Sequence, residues 1–455
     1  MSSYDLINSK TICRRYAIVT FLVWFATALP LAVSVLLVQS RGLSLTEIGV
    51  VMGIYSLVIV LLEVPTGGLA DAAGRKRVAL VAHGLAAASS LALLFAFSFA
   101  GFMAAMALYG VSRALSSGAL DAWFVDALLA TDPDYDLQPA LAEVETVSLL
   151  ALGLGTLAGG ALPRLFAGLP ADGAAVLSPM AVPIAAAFVV RLLLLPAIAG
   201  LIRENRPIDF GPGRRGSTIR AVPALVRDAV ALSRANGRLA LLMAASFVSG
   251  FALLSIESFW QPFFAALPAA GAMPSFLLGF IMAGSFLAGM GGNLLAGPLG
   301  RRLRPRRSDG DGRAYALVAG LARLAQGLSM LFLSATTALF PAAGFFWLVY
   351  LTSGVSLSPH AALVNAEIPA ERRSTLLSIQ SLAFYAGSFA GGAGLGRVAD
   401  QWGIPAAWAI GGALLLASAL PYALLNHDRF KPEKQSVAGS TEKVDLSIRS
   451  ASGGS

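Results

Sequence analysis

Twelve long apolar runs dominate this chain and leave little freedom in what it can fold into. Each run is close to or above the roughly 20 residues that a helix needs to cross a hydrocarbon core of ~30 Å. Numbered in chain order, the predicted spans are 15–38, 47–70, 78–99, 102–130, 140–167, 179–201, 238–266, 274–298, 314–336, 340–366, 374–397 and 405–426. The runs are continuous rather than alternating with period two, which favours helices over a transmembrane β-barrel. We therefore expect an all-α membrane protein.

The composition agrees with this expectation, since 56% of the 455 residues are hydrophobic and only 13% are charged. A soluble domain of this length needs a larger charged surface. The 47 glycines and 23 prolines are compatible with membrane helices, because Gly allows close helix contact and neighbouring helices compensate for Pro kinks. The one cysteine, Cys13, excludes an intrachain disulfide and a cysteine-based metal cluster, and we expect no metal site.

Lys and Arg residues are unevenly distributed along the chain. Most of the 33 fall in the N-terminal segment, in the loops after spans 2, 6, 8 and 10, and in the tail. Because short cytoplasmic loops carry an excess of Lys and Arg, this asymmetry predicts a multi-pass protein of a bacterial inner membrane with both termini cytoplasmic. Span 1 is then an uncleaved signal anchor. The net charge of +8 is explained by topology and by anionic membrane lipids rather than by a nucleic-acid partner.

The segment 202–237 separates six predicted spans from six others. It starts with a Pro-, Gly- and Arg-rich loop, after which apolar residues recur at helical spacing from Ile219 to Val230. This pattern predicts an amphipathic helix at the cytoplasmic interface, with a solvated linker as the alternative. The predicted organisation is an N-terminal six-helix bundle (1–201), the linker (202–237), a C-terminal six-helix bundle (238–428) and a disordered cytoplasmic tail (429–455).

Two short sequences indicate that the halves are related. Residues 155–161 of span 5 read GTLAGGA, and residues 387–393 of span 11 read GSFAGGA, half the chain later. Gly-Arg pairs also follow spans 2 and 8, at positions 74–75 and 300–301. Matches at equivalent places predict duplicated halves, which in many secondary transporters enclose a substrate site near the membrane midplane.

The loop after span 2 carries the clearest motif, GGLADAAGRK at residues 67–76. It resembles the G-x-x-x-D-R-x-G-R-K signature of the major facilitator superfamily, with Ala72 in place of the usual basic residue. The resemblance implies the major facilitator fold, with 12 transmembrane helices in two pseudo-symmetric six-helix bundles. It also implies a gating latch. The residues of this latch are Gly67, Asp71, Gly74, Arg75 and Lys76.

In that family the Arg of the latch commonly pairs with an acidic residue on the fourth helix. Asp126 stands at the matching end of span 4, so we expect it to pair with Arg75. The alternative is that Arg75 and Lys76 only follow the bias of positive charge toward the cytoplasm.

Two further resemblances concern the direction of transport. Span 5 is similar to the G-P-x-x-G-G core of a motif associated with antiporters in the superfamily. The matching positions are Gly155, Thr156, Gly159 and Gly160, with Thr156 in place of the proline. In span 4, Arg113 is followed by Gly118 at slightly longer spacing than in drug/proton antiporters of the family. These features imply efflux of the multidrug-resistance type, with small-residue packing as the alternative for the span 5 glycines.

Ionisable residues inside spans cost about 2.5–3.5 kcal/mol on insertion scales and normally face the interior of the bundle. Glu63, Asp121 and Glu257 are the candidate proton carriers, because a desolvated carboxylic acid can exchange its proton near neutral pH. Arg113, Ser117 and Asp121 lie at i, i+4 and i+8, so we expect Arg113 to act on this proton transfer. The alternative is a structural ion pair between Arg113 and Asp121.

Polar and aromatic residues on two later spans predict a substrate cavity. Trp260 and Gln261 follow Glu257 on one face of span 7, and Ser356 and His360 share a face of span 10. We expect these groups to hold a lipophilic substrate. For His360 the alternative is a hydrogen-bonded structural histidine.

The chain contains no G-x-x-x-x-G-K-[ST] loop, no H-E-x-x-H and no G-x-S-x-G elbow, which argues against an ATP-driven pump and against an enzyme. We expect a monomeric secondary transporter without a cofactor, driven by the proton gradient. Its partners are protons, membrane lipids and a drug-like compound or small metabolite that it exports by alternating access. The alternatives are a solute importer, working as symporter or facilitator, and a transport-inactive sensor of the same fold.

Overall fold

The computed structural model of the protein describes residues 8–66, 73–116, 118–173, 175–204, 227, 236–267, 274–303, 311–367 and 373–425. The side chains of residues 63–65, 311 and 373–379 lie outside this description. Several predictions fall outside it as well. These concern Gly67, Asp71, Ser117, the side chain of Glu63, the interfacial helix at 219–230 and the tail at 429–455.

Eleven segments of the described chain are long and apolar enough to cross a membrane. The last of them, residues 380–425, turns at Gly403, where φ is +84°, and Pro405 follows, so it contains spans 11 and 12. The predicted all-α fold is therefore confirmed. The helices are Ser9–Ala28, Leu29–Ala32 (3₁₀) and Ser34–Ser40 in span 1, Leu45–Thr66 in span 2, Arg75–Phe95 in span 3, Phe99–Ser116 and Ala119–Thr131 in span 4, Leu137–Leu165 in span 5, Pro179–Ala181 (3₁₀) and Val182–Leu201 in span 6, Gly237–Ala265 in span 7, Ser275–Arg302 in span 8, Asp311–Ala335 in span 9, Leu339–Ala366 in span 10, and Arg373–Ala417 and Leu420–Leu425 in spans 11 and 12.

Span 1 is not the unbroken helix that the apolar run 15–38 predicts. Its first helix ends at Ala28, and the chain then tightens into the 3₁₀ turn Leu29–Ala32 before Ser34–Ser40. Pro30 lies in this turn and has no backbone N–H to donate, which explains the interruption. The restart at Ser34 exposes a second helix N-terminus inside the bundle.

Span 4 is also interrupted, although the run 102–130 predicts one helix. Gly118 has φ of +73°, a left-handed conformation that ends one helix and starts the next. Arg113 lies before this break and Asp121 after it, so the two do not share the continuous helical face that their spacing predicts.

The spans run alternately up and down, so their ends form two faces. We call the face that holds Ser9 and Leu425 the terminal face and the other the opposite face. At the terminal face, Arg238 at the start of span 7 forms an ion pair with Glu367 at the end of span 10 and donates to the Leu425 carbonyl at 3.2 Å. These contacts tie three span ends of the C-terminal half together.

The repeated glycine sequences of spans 5 and 11 make equivalent contacts. A Cβ at any of these glycines would collide with the backbone of a neighbouring helix, so the helices touch there. Gly155 and Gly159 lie against span 1 of their own half, as Gly387 and Gly391 lie against span 7. The next glycine in each repeat contacts the other half. Those pairs are Gly160 with Gly279 of span 8 and Gly392 with Gly49 of span 2. The predicted internal repeat therefore has a structural counterpart.

Spans 7–12 enclose a dense aromatic core. Trp260, Phe264 and Phe346 pack with ring centroids 5.6 to 6.4 Å apart, and Phe263 packs on Trp408 at 4.5 Å. Trp260 is 2% exposed and Trp408 is fully buried. Rings packed at these distances fix the interior of the C-terminal half.

Candidate substrate cavity and its gates

Asp400, near the end of span 11, holds the two halves together at the opposite face. Its carboxylate accepts from the backbone N–H groups of Leu45 at 2.9 Å and Thr46 at 2.8 Å, and from the Thr46 hydroxyl at 2.5 Å. These groups form the start of span 2, so Asp400 caps a helix of the other half. A carboxylate at a helix N-terminus satisfies free donors and complements the helix dipole.

Gln261 of span 7 makes a second cap between the halves. Its Oε1 accepts from the N–H groups of Val35 at 2.9 Å and Leu36 at 3.3 Å, which begin the second helix of span 1. Its Nε2 donates to the Leu31 carbonyl at 2.9 Å. Ser275 of span 8 also donates to the Gly160 carbonyl at 2.6 Å. In the described part of the chain, the hydrogen bonds between the halves lie at the opposite face, which is closed.

The described part of the predicted latch is bonded within the N-terminal half. Arg75 Nη1 lies 2.5 Å from Asp126 Oδ2, the partner that the sequence predicts. Lys76 donates to the Ala199 carbonyl at 2.6 Å. Glu204 accepts from the N–H groups of Arg75 at 2.7 Å and Lys76 at 3.2 Å and so caps span 3, while Gly74 before it has φ of +94°. The gating role of these contacts stays a prediction.

A cavity of about 380 Å³ lies among the spans of the N-terminal half. It extends from the middle of spans 2, 3 and 6 toward the terminal face. Its ionisable lining residues are Tyr16, Tyr55, His83, Tyr109, Arg113, Asp121, Glu145 and Arg191. A concave site with a few convergent polar groups is the usual form of a small-molecule site.

Arg113 is an exposed side chain in this lining. Among the described residues, its guanidinium has no carboxylate within ion-pair distance and donates no hydrogen bond. The structural alternative, an ion pair with Asp121, is therefore not formed here. Asp121 instead accepts a hydrogen bond of 2.5 Å from the hydroxyl of Tyr16, a buried residue stacked on Phe124.

Glu257 lies across the interface from this cavity. Its side chain is exposed although its position is in the middle of span 7. It interacts electrostatically with Tyr55 of span 2 and with Tyr350 of span 10. The Tyr350 hydroxyl is buried. Glu257 therefore faces the space between the halves, near the Tyr350 hydroxyl, which has no hydrogen-bond partner among the described residues.

The four residues predicted to line a substrate cavity do not line this one. Trp260 belongs to the aromatic core. Both polar atoms of the Gln261 side chain form hydrogen bonds in the cap between the halves. Ser356 is 1% exposed and donates to the Ser353 carbonyl at 3.0 Å. His360 has both ring nitrogens bonded, to the hydroxyls of Ser246 and Tyr422, each at 2.9 Å. Their packing supports structural roles instead.

The span 5 motif is explained by contacts as well. Gly155 and Gly159 allow close approach to span 1, and Gly160 allows close approach to span 8. Thr156 is fully buried and donates to the Leu152 carbonyl at 2.7 Å in its own helix. Small-residue packing therefore accounts for the motif without reference to the direction of transport.

The sequence analysis does not predict five residues that line the cavity or cap a helix, namely Arg191, His83, Glu145, Glu204 and Asp400. Arg191 is a charge inside a span and could have been selected by that criterion. Glu204 and Asp400 cap helices that are distant in sequence. No local pattern reveals such contacts.

Comparison with known proteins agrees with this architecture. Residues 16–347 match the family model described as the Major Facilitator Superfamily. No functionally curated protein matches the sequence. Similar solved structures include the nucleoside transporter NupG, with a TM-score of 0.72 and 14% identity over 91% of this chain and 99% of that chain.

Two further structures share the fold. A bacterial homologue of the human lysosomal transporter Spinster, in an inward-facing and occupied conformation, gives a TM-score of 0.66 and 15% identity over 91% of this chain and 94% of that chain. The human organic anion transporter MFSD10 gives a TM-score of 0.58 and 18% identity over 91% of this chain and 100% of that chain. Because the family model spans most of the chain and the fold agrees, this multi-pass membrane protein is a transporter that belongs to the Major Facilitator Superfamily.

Proposed function

We propose that the protein exports a drug-like compound or small metabolite in exchange for protons, by alternating access. The observation that supports this best is the cavity in which Arg113 and Asp121 face open space without pairing to each other. Charges inside a membrane protein that the fold does not use commonly mark substrate and proton pathways. Asp121 and Glu257 are the proposed proton carriers, and Glu63 remains a third candidate.

The proposed cycle starts from the arrangement described above. With both termini cytoplasmic in a bacterial inner membrane, as the Lys and Arg bias predicts, the closed opposite face is external and the cavity opens to the cytoplasm. Substrate enters there while the carboxylates release protons. Reorientation then separates Asp400 and Gln261 from the helix starts that they cap. Proton entry is driven by the membrane potential, about 2.3 kcal/mol per charge at 100 mV.

An accumulation assay tests the proposal. Cells that express the protein are loaded with ethidium or, as its ester, with carboxyfluorescein, so that a cationic and an anionic dye are compared. We expect lower accumulation of at least one dye than in cells without the protein, and a protonophore should abolish the difference. Asp121→Asn and Glu257→Gln should weaken export at equal expression. Unchanged accumulation of both dyes contradicts export of drug-like compounds.

Uptake of a small polar solute is the second candidate, because a nucleoside transporter is among the similar structures. Cells that express the protein would then take up radiolabelled uridine faster than control cells. A sensor of the same fold would change neither dye accumulation nor uridine uptake.

A further inference from the structure

The chain contains arginines of two kinds within its N-terminal half. Arg41 is 8% exposed and donates to the carbonyls of Leu93, Leu94 and Ala96 at 2.8 to 3.0 Å, and to Val176 at 3.3 Å. Its guanidinium therefore has a structural role, because it caps the carbonyl end of the span 3 helix. Arg113 donates to none of the described residues, yet it lies within a membrane span and faces a cavity. Its guanidinium is therefore available to a ligand.

A second guanidinium lies on the same wall. Arg191 of span 6 is 6% exposed and lines the cavity. Among the described residues its hydrogen-bond partners are neutral, the Ala86 carbonyl at 2.9 Å and the Ser90 hydroxyl. It also sits 4.9 Å from the centroid of the Tyr109 ring. The His83 ring interacts electrostatically with both Arg113 and Arg191. We call the two guanidinium groups, Arg113 and Arg191, the cationic wall.

The carboxylates of the cavity lie elsewhere. Asp121 lies after the break at Gly118, nearer the terminal face than Arg113, and Glu145 lies in the corresponding part of span 5. Glu257 of the other half interacts with Tyr55, which borders the wall, but it forms no ion pair with Arg113 among the described residues. Among the described residues, Arg113 and Arg191 thus share this membrane-embedded wall without an ion-paired carboxylate.

We propose that the cationic wall binds an anionic group of the transported molecule, a carboxylate or a phosphate. The proposal rests on the assignment of this cavity as the substrate site. Guanidinium groups bind the two oxygens of such anions in a fork, and the interaction is strong where water is excluded. Tyr55 and Tyr109, stacked with centroids 5.3 Å apart, border the wall and provide a surface for the apolar part of the substrate.

The charge of the wall can be measured with reagents of opposite sign. In a Cys13→Ala, Thr27→Cys protein the only thiol lies in the cavity lining, on the middle of span 1. This thiol is modified with an anionic reagent, sulfonatoethyl methanethiosulfonate, and with a cationic one, trimethylammonioethyl methanethiosulfonate. Each modification rate is divided by the rate at which the same reagent modifies free cysteine. We expect the anionic reagent to be favoured roughly tenfold, because the two guanidinium groups attract anions to their wall, while Asp121 and Glu145 line another part of the cavity. Preference for the cationic reagent overturns the proposal.

Arginine variants in this background test the wall directly. Arg113→Gln and Arg191→Gln should each reduce the preference several-fold, and Arg113→Lys should keep most of it. Arg164→Gln is the matched control, because Arg164 is exposed and lies outside the cavity lining. Every variant is first checked by gel filtration for a monodisperse protein. A preference that Arg113→Gln and Arg191→Gln leave unchanged overturns the proposal.

Protection of the Thr27→Cys thiol identifies the ligand chemistry. Benzoate and phenyl phosphate should slow its modification, whereas neutral benzamide should not, and the difference should disappear in Arg113→Gln. Protection by one anion alone assigns the carboxylate or the phosphate source. Equal effects of benzoate, phenyl phosphate and benzamide overturn the anion site. None of these measurements uses a proton gradient, so their failure is distinct from failure of proton-coupled export, which the protonophore assay detects.

Discussion

The two halves share one repeat and one set of glycine contacts, but they use their polar residues differently. In the C-terminal half, His360 has partners on both ring nitrogens and Trp260 is part of a packed aromatic core. In the N-terminal half, Arg113 and Asp121 line an open cavity and do not pair with each other. The N-terminal half thus lines an open cavity with charged groups, whereas His360 and Trp260 of the C-terminal half have structural roles and Glu257 is its exposed carboxylate.

This difference shows that a polar residue inside a span is not by itself evidence of a substrate site. A buried polar group without a partner is costly, so the fold usually satisfies it. Arg113 differs from His360 because its side chain has no hydrogen-bond or ion-pair partner among the described residues, whereas both ring nitrogens of His360 have one. Four predictions, given from the largest expected effect to the smallest, test this difference between the halves.

Arg113→Gln should have the largest effect. Losing a charge-assisted interaction with substrate costs about 1.5–3 kcal/mol, so transport should fall roughly ten- to hundred-fold. The melting temperature should hardly change, because Arg113 has no described partner to lose. Initial rates of dye export and thermal unfolding in detergent measure the two effects. Full transport by this variant would mean that free charge in the cavity has no role.

Removing the caps at the opposite face should have the next largest effect. Gln261→Leu and Asp400→Ala each delete side-chain bonds to a helix start, worth about 0.5–2 kcal/mol, and so should shift the protein toward opening at that face. Spin labels on the ends of spans 2 and 11 at the opposite face would report a larger fraction of long distances. Asp172→Ala is the control, since the described hydrogen bond of Asp172, from the Met180 N–H, lies within its own half. An unchanged distance distribution would limit these residues to structural roles.

Reversing the Arg75–Asp126 pair should have a smaller effect. The Asp126 side chain is 47% exposed, and ion pairs of this kind contribute about 0.2–1 kcal/mol, so a single reversal should slow transport less than about fivefold. The double variant Arg75→Asp with Asp126→Arg should recover part of the loss at equal expression. If it recovers nothing relative to the single variants, the pair is not part of the latch.

His360→Ala should leave the transport rate of the folded protein unchanged. It removes two hydrogen bonds and leaves the hydroxyls of Ser246 and Tyr422 without this partner, which should cost about 1–3 kcal/mol of stability. Thermal unfolding and transport normalised to folded protein separate the two outcomes. A loss of normalised transport would place substrate contacts in the C-terminal half after all.

The fold can be predicted from the sequence because long apolar runs define the membrane spans and small residues mark where helices pack closely. Span number and the internal repeat follow from patterns in the sequence, and the Arg75–Asp126 contact follows from the resemblance of residues 67–76 to the family signature. The helix breaks at Pro30 and Gly118 were not predicted, since Gly and Pro are also tolerated inside membrane helices.

The site is harder to predict because it depends on which polar groups find partners. Glu257 and Asp121 were correctly expected to be inside spans, but sequence spacing cannot show that Tyr16 bonds to Asp121 from 105 positions away. Nor can it show that Gln261 reaches the start of a helix in the other half. These contacts arise only when twelve spans pack.

Proton movement that accompanies substrate transport is the decisive measurement for proton-coupled export. Proteoliposomes are loaded with the dye that cells export, and a pH electrode in a weakly buffered medium records protons while fluorescence records the dye. We predict that wild-type protein moves protons opposite to the dye, and that Asp121→Asn combined with Glu257→Gln moves none. Dye transport by the wild type without proton movement, or undiminished proton movement in the double variant, would contradict the account.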